Sequence, residues 1–81
     1  MKNEDIIEKL KEAYKTVNGE ELKGDLGLDA DLRNDMGLSS VGMLYFVLVI
    51  ETLFGIRFEN VGIEDFKTLG DVVGYIKERV L

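Results

Sequence analysis

Apolar residues recur at helical spacing in three separate stretches of this chain, and that pattern leaves little room for any fold but a helical bundle. Ile6, Ile7, Leu10, Ala13, Tyr14 and Val17 form the first stripe. Asn3 is its candidate N-cap and Asn18-Gly19 its stop, which predicts a helix over residues 4–17. The second stretch opens with Ser39 or Ser40 as cap, reaches Leu53 or Phe54 and stops at Gly55. Thr68, with Asp71 three residues on, resembles a capping box in which Asp stands where Glu or Gln is commoner. It starts a last helix whose buried stripe is Val72, Val73, Ile76 and Val80, and which Gly74 weakens by roughly 1 kcal/mol relative to alanine.

The connections carry their own information. Residues 18–38 hold four glycines and leucines at 22, 26, 28, 32 and 38. A connection of that length belongs in a compact domain only if it is functional or held down by its own apolar side chains, and the leucines point to the second. Residues 56–67 are mixed: Ile56-Arg57-Phe58-Glu59 alternates like a strand, while Ile63 and Phe66 suit a short helical turn. The expectation is an all-α fold, a small helical bundle of three main helices plus a short fourth, with a long ordered loop between helices one and two.

Composition narrows the function. At 81 residues the chain is expected to be a single domain, residues 1–81, with a modest core. Sixteen acidic against ten basic side chains give a net charge of −6, which repels nucleic acid and anionic membrane and suits basic partners or simple solubility. There is no cysteine, hence no disulfide, thiolate metal site or cysteine nucleophile, and no histidine, the usual general base and commonest metal ligand. Met1-Lys2-Asn3-Glu4-Asp5 is charged and has no signal-peptide core behind it. The longest apolar run, Met43 to Ile50, is far short of the roughly 18 residues that span a bilayer. A cytoplasmic protein with no membrane span is expected.

The second helix has two apolar faces. Met43, Phe46, Val47, Ile50, Leu53 and Phe54 fall on the expected core side, and Val41, Leu44, Tyr45 and Leu48 cluster opposite, at i, i+3, i+4 and i+7. A fully central helix is hard to arrange in so small a bundle. The second stripe is therefore a surface for partner proteins, a dimer contact, or the seat of the leucine-rich loop.

At the start of this helix stands Asp35-Met36-Gly37-Leu38-Ser39-Ser40-Val41. The segment resembles the attachment motif of acyl carrier proteins, Asp-Leu-Gly, any residue, Asp-Ser-Leu, and the match places the family's modified serine at Ser40. The resemblance continues in Glu51 and Phe54-Gly55-Ile56, and again in Phe66-Lys67-Thr68-Leu69-Gly70-Asp71-Val72-Val73, over about four-fifths of the chain in the right order. It implies an acyl-carrier-like bundle and a 4′-phosphopantetheine arm held covalently on Ser40. It also implies a phosphopantetheinyl transferase and acyl- or aminoacyl-loading and transfer enzymes as partners, and no chemistry by the protein itself; a monomer is expected. The physics of the position agrees. A serine at a helix N-terminus is reachable at the end of a loop, and a phosphodiester there meets free backbone N–H groups and the positive end of the helix dipole. The bland alternative is that Ser39 and Ser40 are only a helix cap, and the two roles are compatible.

Ser39 and Val41 stand where the family has Asp and Leu around the serine, and Gly42 and Tyr45 replace acidic positions of the same helix. Fatty-acid-synthesis carriers use those acids to meet basic patches on their enzymes, and here only Glu51 remains. The expected docking set is thus Val41, Leu44, Tyr45, Leu48 and Glu51. The expected setting is a specialised acyl, polyketide or nonribosomal-peptide pathway, or fatty acid synthesis. The competing reading is a helical interaction module without a prosthetic group, binding through the same apolar stripe.

Other motifs carry less. Asp25, Asp29, Asp31 and Asp35 invite a calcium loop, but an EF-hand begun at Asp29 has Arg33 at its fifth position and Ser40 at its twelfth, so no metal site is expected. Glu20-Glu21 and Glu64-Asp65 read as surface charge or helix starts. With no histidine in the chain and no lysine beside it in sequence, Ser40 is not expected to be a hydrolase nucleophile of the familiar kind.

Overall fold

A helix begins wherever the first carbonyls find amide donors one turn on. In the computed structural model, which describes residues 2–20, 27–59 and 65–80, this happens first at Lys2. Its extended backbone puts its carbonyl within 3.1 Å of the amides of Asp5 and Ile6. Helix α1 therefore spans Asn3–Asn18, and Asn3 is its first residue rather than the cap. Lys2 fills the cap position with no side-chain hydrogen bond, so the start rests on backbone geometry and on Glu4 and Asp5 against the positive end of the dipole. Gly19 ends the helix in the left-handed region, its N–H donating to the Lys15 carbonyl at 2.7 Å.

Helix α2 spans Ser40–Phe54, capped by Ser39 and closed at Gly55, and α3 spans Leu69–Arg79. The box at the start of α3 is complete: Asp71 N–H donates to the Thr68 hydroxyl at 3.2 Å, and the Asp71 carboxylate accepts from Thr68 N–H at 3.1 Å. The fold is all-α. The short fourth helix falls mostly on residues 60–64, outside the described residues, as does Ile63. The strand-like Ile56–Glu59 pairs with no strand among the described residues. Its alternation has another cause, since Ile56 and Phe58 are half-buried against the core while Arg57 and Glu59 face solvent. Its amides are met by side chains: Phe58 N–H donates to Glu51 at 2.8 Å, and Glu59 N–H to the Tyr75 hydroxyl at 3.0 Å.

Helix α1 packs mainly on α2 and less on α3. Ile6, Leu10, Met43, Phe46, Ile50, Leu69 and Ile76 are fully buried between them, and Leu32 joins them from the loop. Val47 and Phe54 are half-buried at the margin, and Leu53, expected inside, is exposed. The flank of α2 that Leu53 shares with Val49 opens at the last turns of α1, where the two helices leave a depression lined by Thr16, Val49 and Leu53 among others.

The described part of the loop is held by two of its five leucines, Leu32 and Leu38, buried together with Met36; Leu28 is exposed, and Leu22 and Leu26 lie outside the described residues. It is also hydrogen-bonded to the start of α3. Leu32 N–H donates to Lys67 O, Leu69 N–H to Ala30 O and Gly70 N–H to Leu28 O, at 2.7–2.9 Å. The last contact explains a glycine in a helix. A Cβ on Gly70 would lie 2.8 Å from the Leu28 carbonyl oxygen, and a backbone atom cannot swing aside. Gly70→Ala is expected to cost about 1–3 kcal/mol, read as a lower urea midpoint at unchanged slope.

Candidate functional site

Three segments meet at the N-terminus of α2. The turn before it is built by aspartates. The Asp31 carboxylate accepts from the amides of Arg33 and Asn34 at 2.9 and 2.8 Å, and Asp35 reaches back to accept from Asp31 N–H at 2.7 Å. Leu38 N–H then donates to Leu32 O at 3.0 Å, closing the turn. Gly37 sits at φ +70, the left-handed region where a side chain is strained, which is the physical reason for glycine three residues before Ser40. Tyr14 ties this turn to α1. Its buried hydroxyl donates to the Met36 carbonyl at 2.7 Å and accepts from Asn18 at 2.7 Å.

Asp31 and Asp35 thus spend their charge on the loop's own backbone, and no group of potential metal ligands forms among the described residues; Asp25 lies outside them. Backbone donors, first Asn34 and then Arg33, hold the Asp31 carboxyl below its ordinary range, and the Lys67 and Thr68 amides do the same for Asp71. Groups with depressed folded values stabilise the fold above the ordinary carboxylate pKa and lose that contribution as pH falls through the lowered value. Urea midpoints should therefore hold steady near neutrality and decline from about pH 4 downward. Asp71→Asn should start lower near neutrality and decline less.

The two serines divide the cap between them. Ser39 Oγ accepts from Gly42 N–H at 3.0 Å, and Ser39 O from Met43 N–H at 2.8 Å. Ser40 is the first residue of α2 and is exposed, with no acidic residue in the first turn. By helix geometry the Ser40 and Val41 amides have no carbonyl four residues back inside the helix.

The other candidate residues follow along α2. Val41, Leu44, Tyr45 and Leu48 are 75, 54, 49 and 59% exposed, on the side away from the core. The described residues of the loop leave them exposed. Glu51 does not share their situation: it is half-buried and one of its oxygens holds the Phe58 amide. What the sequence reading missed is the scaffold behind the serines, namely Tyr14, Asp31 and Gly70. The repeated Asp-x-x-x-Asp before a glycine is the one local signal that could have found part of it.

The model of the phosphopantetheine attachment site family matches residues 7–76. An acyl carrier protein of Exiguobacterium sibiricum is 34% identical over 80 residues, covering 99% of this chain and 100% of that protein. The chain belongs to the acyl carrier protein family. One from Coprothermobacter proteolyticus is 33% identical over 81 residues, 99% of this chain and 96% of its own, and one from Lactobacillus acidophilus is 32% identical over 77 residues, 95% of each. Acyl carrier proteins are carriers rather than enzymes, and their prosthetic group is covalently attached 4′-phosphopantetheine. The residues at the α2 N-terminus fit such a group: an exposed hydroxyl, amides without helical partners and no acid in the first turn to repel a phosphate. No helix among the described residues is long and apolar enough to cross a membrane.

Proposed function

We propose that Ser40 is the attachment residue, and that the chain works as a single carrier module of the cytoplasm, alongside the coenzyme A that donates the arm. One observation carries the choice of serine. Ser39 has its hydroxyl engaged as the helix cap, whereas Ser40 stands exposed at the first position of α2. An anion on Ser40 Oγ meets the first-turn amides and the positive helix end, at a loop–helix junction that a modifying enzyme can reach. When bound, the arm supplies a terminal thiol on which acyl or aminoacyl groups travel as thioesters. The protein's own residues hold the arm's root and keep the turn in shape: Gly37 by its backbone, Asp35 and Tyr14 by their hydrogen bonds.

The cargo belongs to a dedicated acyl, polyketide or nonribosomal-peptide pathway in preference to general fatty acid synthesis. The support is the near absence of acid from α2 and its cap, where Ser39 at the cap and Gly42 and Tyr45 in the helix replace acidic family positions. The partners are a phosphopantetheinyl transferase and the enzymes that load and unload the thiol. At a net charge of −6 the carrier works as a monomer and has no affinity for nucleic acid.

The test is incubation with coenzyme A, magnesium and a broad-specificity phosphopantetheinyl transferase, followed by intact mass and fragmentation. One phosphopantetheine added at residue 40 is the expected result. Addition at residue 39, or no addition to folded protein by several transferases, overturns it.

A further inference from the structure

Glycine permits a left-handed backbone without imposing it, since either sign of φ is open to a residue with no Cβ. Gly37, at φ +70 and shortly before Ser40, therefore needs something else to hold it there. The peptide that joins Met36 to Gly37 is planar, so its carbonyl and its N–H turn together, and rotating it changes φ at Gly37. Both of its ends are held. Gly37 N–H donates to the Arg33 carbonyl at 3.1 Å, within the turn. The Met36 carbonyl accepts at 2.7 Å from the hydroxyl of Tyr14, a buried side chain of α1. Asn18 stands one turn further along the same face of α1, and its Nδ2 donates to the Tyr14 oxygen at 2.7 Å. A phenol has one proton to give. With Asn18 occupying a lone pair of that oxygen, the proton is directed to Met36.

Resting on the assignment of Ser40 as the attachment residue, we propose that Tyr14 is a positioning residue for the loading of Ser40, and that Asn18 fixes the direction of the Tyr14 hydrogen bond. The attachment serine is thereby aimed from α1, a helix that does not carry it. Without the phenol hydroxyl the buried Met36 carbonyl has lost its partner, and the peptide turns toward whatever donor it can reach. Ser39 and Ser40 follow directly on this turn, so a rotation there re-aims the Ser40 hydroxyl. A displacement of about 1 Å from the reacting geometry can cost about 100-fold in rate. Asn18 is itself exposed, so little burial rests on it, and its influence on the turn passes through the Tyr14 oxygen.

The probe is a broad-specificity phosphopantetheinyl transferase with coenzyme A and magnesium, acting on the full chain. The readouts are kcat and KM for mass gain at residue 40, and amide hydrogen exchange. Tyr14→Phe should lower kcat about tenfold with KM within about twofold, because a buried hydroxyl touches no enzyme. Exchange of the Gly37 and Leu38 amides should quicken about tenfold, beyond any change at Phe46 in the middle of α2. Asn18→Asp puts an acceptor of the same shape where the donor was. The carboxylate draws the Tyr14 proton away from Met36, and kcat should fall about fivefold. Asn18→Ala leaves the Tyr14–Met36 bond in place and should load within about twofold of wild type. Ile76→Val, a change in the buried core, lowers the urea midpoint and is the stability control; it should load as wild type does. The proposal is overturned if Tyr14→Phe keeps the wild-type kcat, or if Ile76→Val slows loading as much. Equal loss in Asn18→Ala and Asn18→Asp overturns the part given to Asn18. Each of these results leaves Ser40 as the attachment residue, whereas wild type that gains no mass at residue 40 removes both readings together.

Discussion

Ser40→Ala abolishes loading with stability unchanged within about 0.5 kcal/mol, and Ser39→Ala does the reverse; that pair of results is the expected outcome of intact-mass and urea-melt experiments on the two variants. The reasoning is local. Ser40 occupies the first helical position, exposed to solvent, and no hydrogen bond of its hydroxyl contributes to the fold. Removing that oxygen deletes the proposed acceptor of the phosphopantetheine and little else. Ser39, one residue earlier, accepts the Gly42 amide through its hydroxyl at 3.0 Å. Its loss leaves a first-turn donor to water and costs about 1 kcal/mol, within the 0.5–2 kcal/mol range for cap serines. Loading of Ser39→Ala should persist, since Gly37 and the Asp31–Asp35 turn still set the start of α2. Equal loss of loading in both variants would show that the cap itself, and not the nucleophilic oxygen, is what the transferase needs.

Much of this arrangement was legible in the sequence for identifiable reasons. The two faces of α2 follow from i, i+3, i+4 spacing, which depends on nothing outside the helix. The Thr68–Asp71 box is likewise a local device spanning three residues. The places where the reading failed involve partners far away in sequence or none at all. Leu53 reads as core by its angle on the helix, but its burial depends on where α1 ends. Asn3 reads as a cap by type, yet the backbone of Lys2 adopts the cap conformation without a side-chain acceptor. Glu51 reads as a surface acid, and its bond to Phe58 becomes visible only when the chain turns back after Gly55. The ladder between Leu28–Leu32 and Lys67–Gly70 joins segments almost forty residues apart through backbone atoms, which leave no trace in side-chain identity except at Gly70. The attachment motif stood out because its glycine, its aspartate and the capping Ser39 beside Ser40 each answer a local backbone demand.

Adjacent residues on α2 offer a sharper test of the two-faced helix than any single variant. Phe46 has no exposed surface and belongs to the buried cluster with Ile6, Leu10 and Ile76, whereas Tyr45 is 49% exposed. Phe46→Ala removes an aromatic ring from a packed interior that can only partly collapse, and should cost about 3–5 kcal/mol. A chain of this length has roughly 4–12 kcal/mol in all, at 0.05–0.15 kcal/mol per residue, so the variant should be largely unfolded in mild denaturant and a poor substrate for loading. Tyr45→Ala should change stability by about 0.5 kcal/mol at most, because its ring is half exposed and is no member of the buried cluster. If the outer stripe docks the loading enzyme, as the family resemblance implies, the effect of Tyr45→Ala appears in kcat/KM for loading at an unchanged urea midpoint. If Tyr45→Ala instead unfolds the protein as Phe46→Ala does, the outer stripe is part of the core, and α2 has no free apolar face to offer an enzyme.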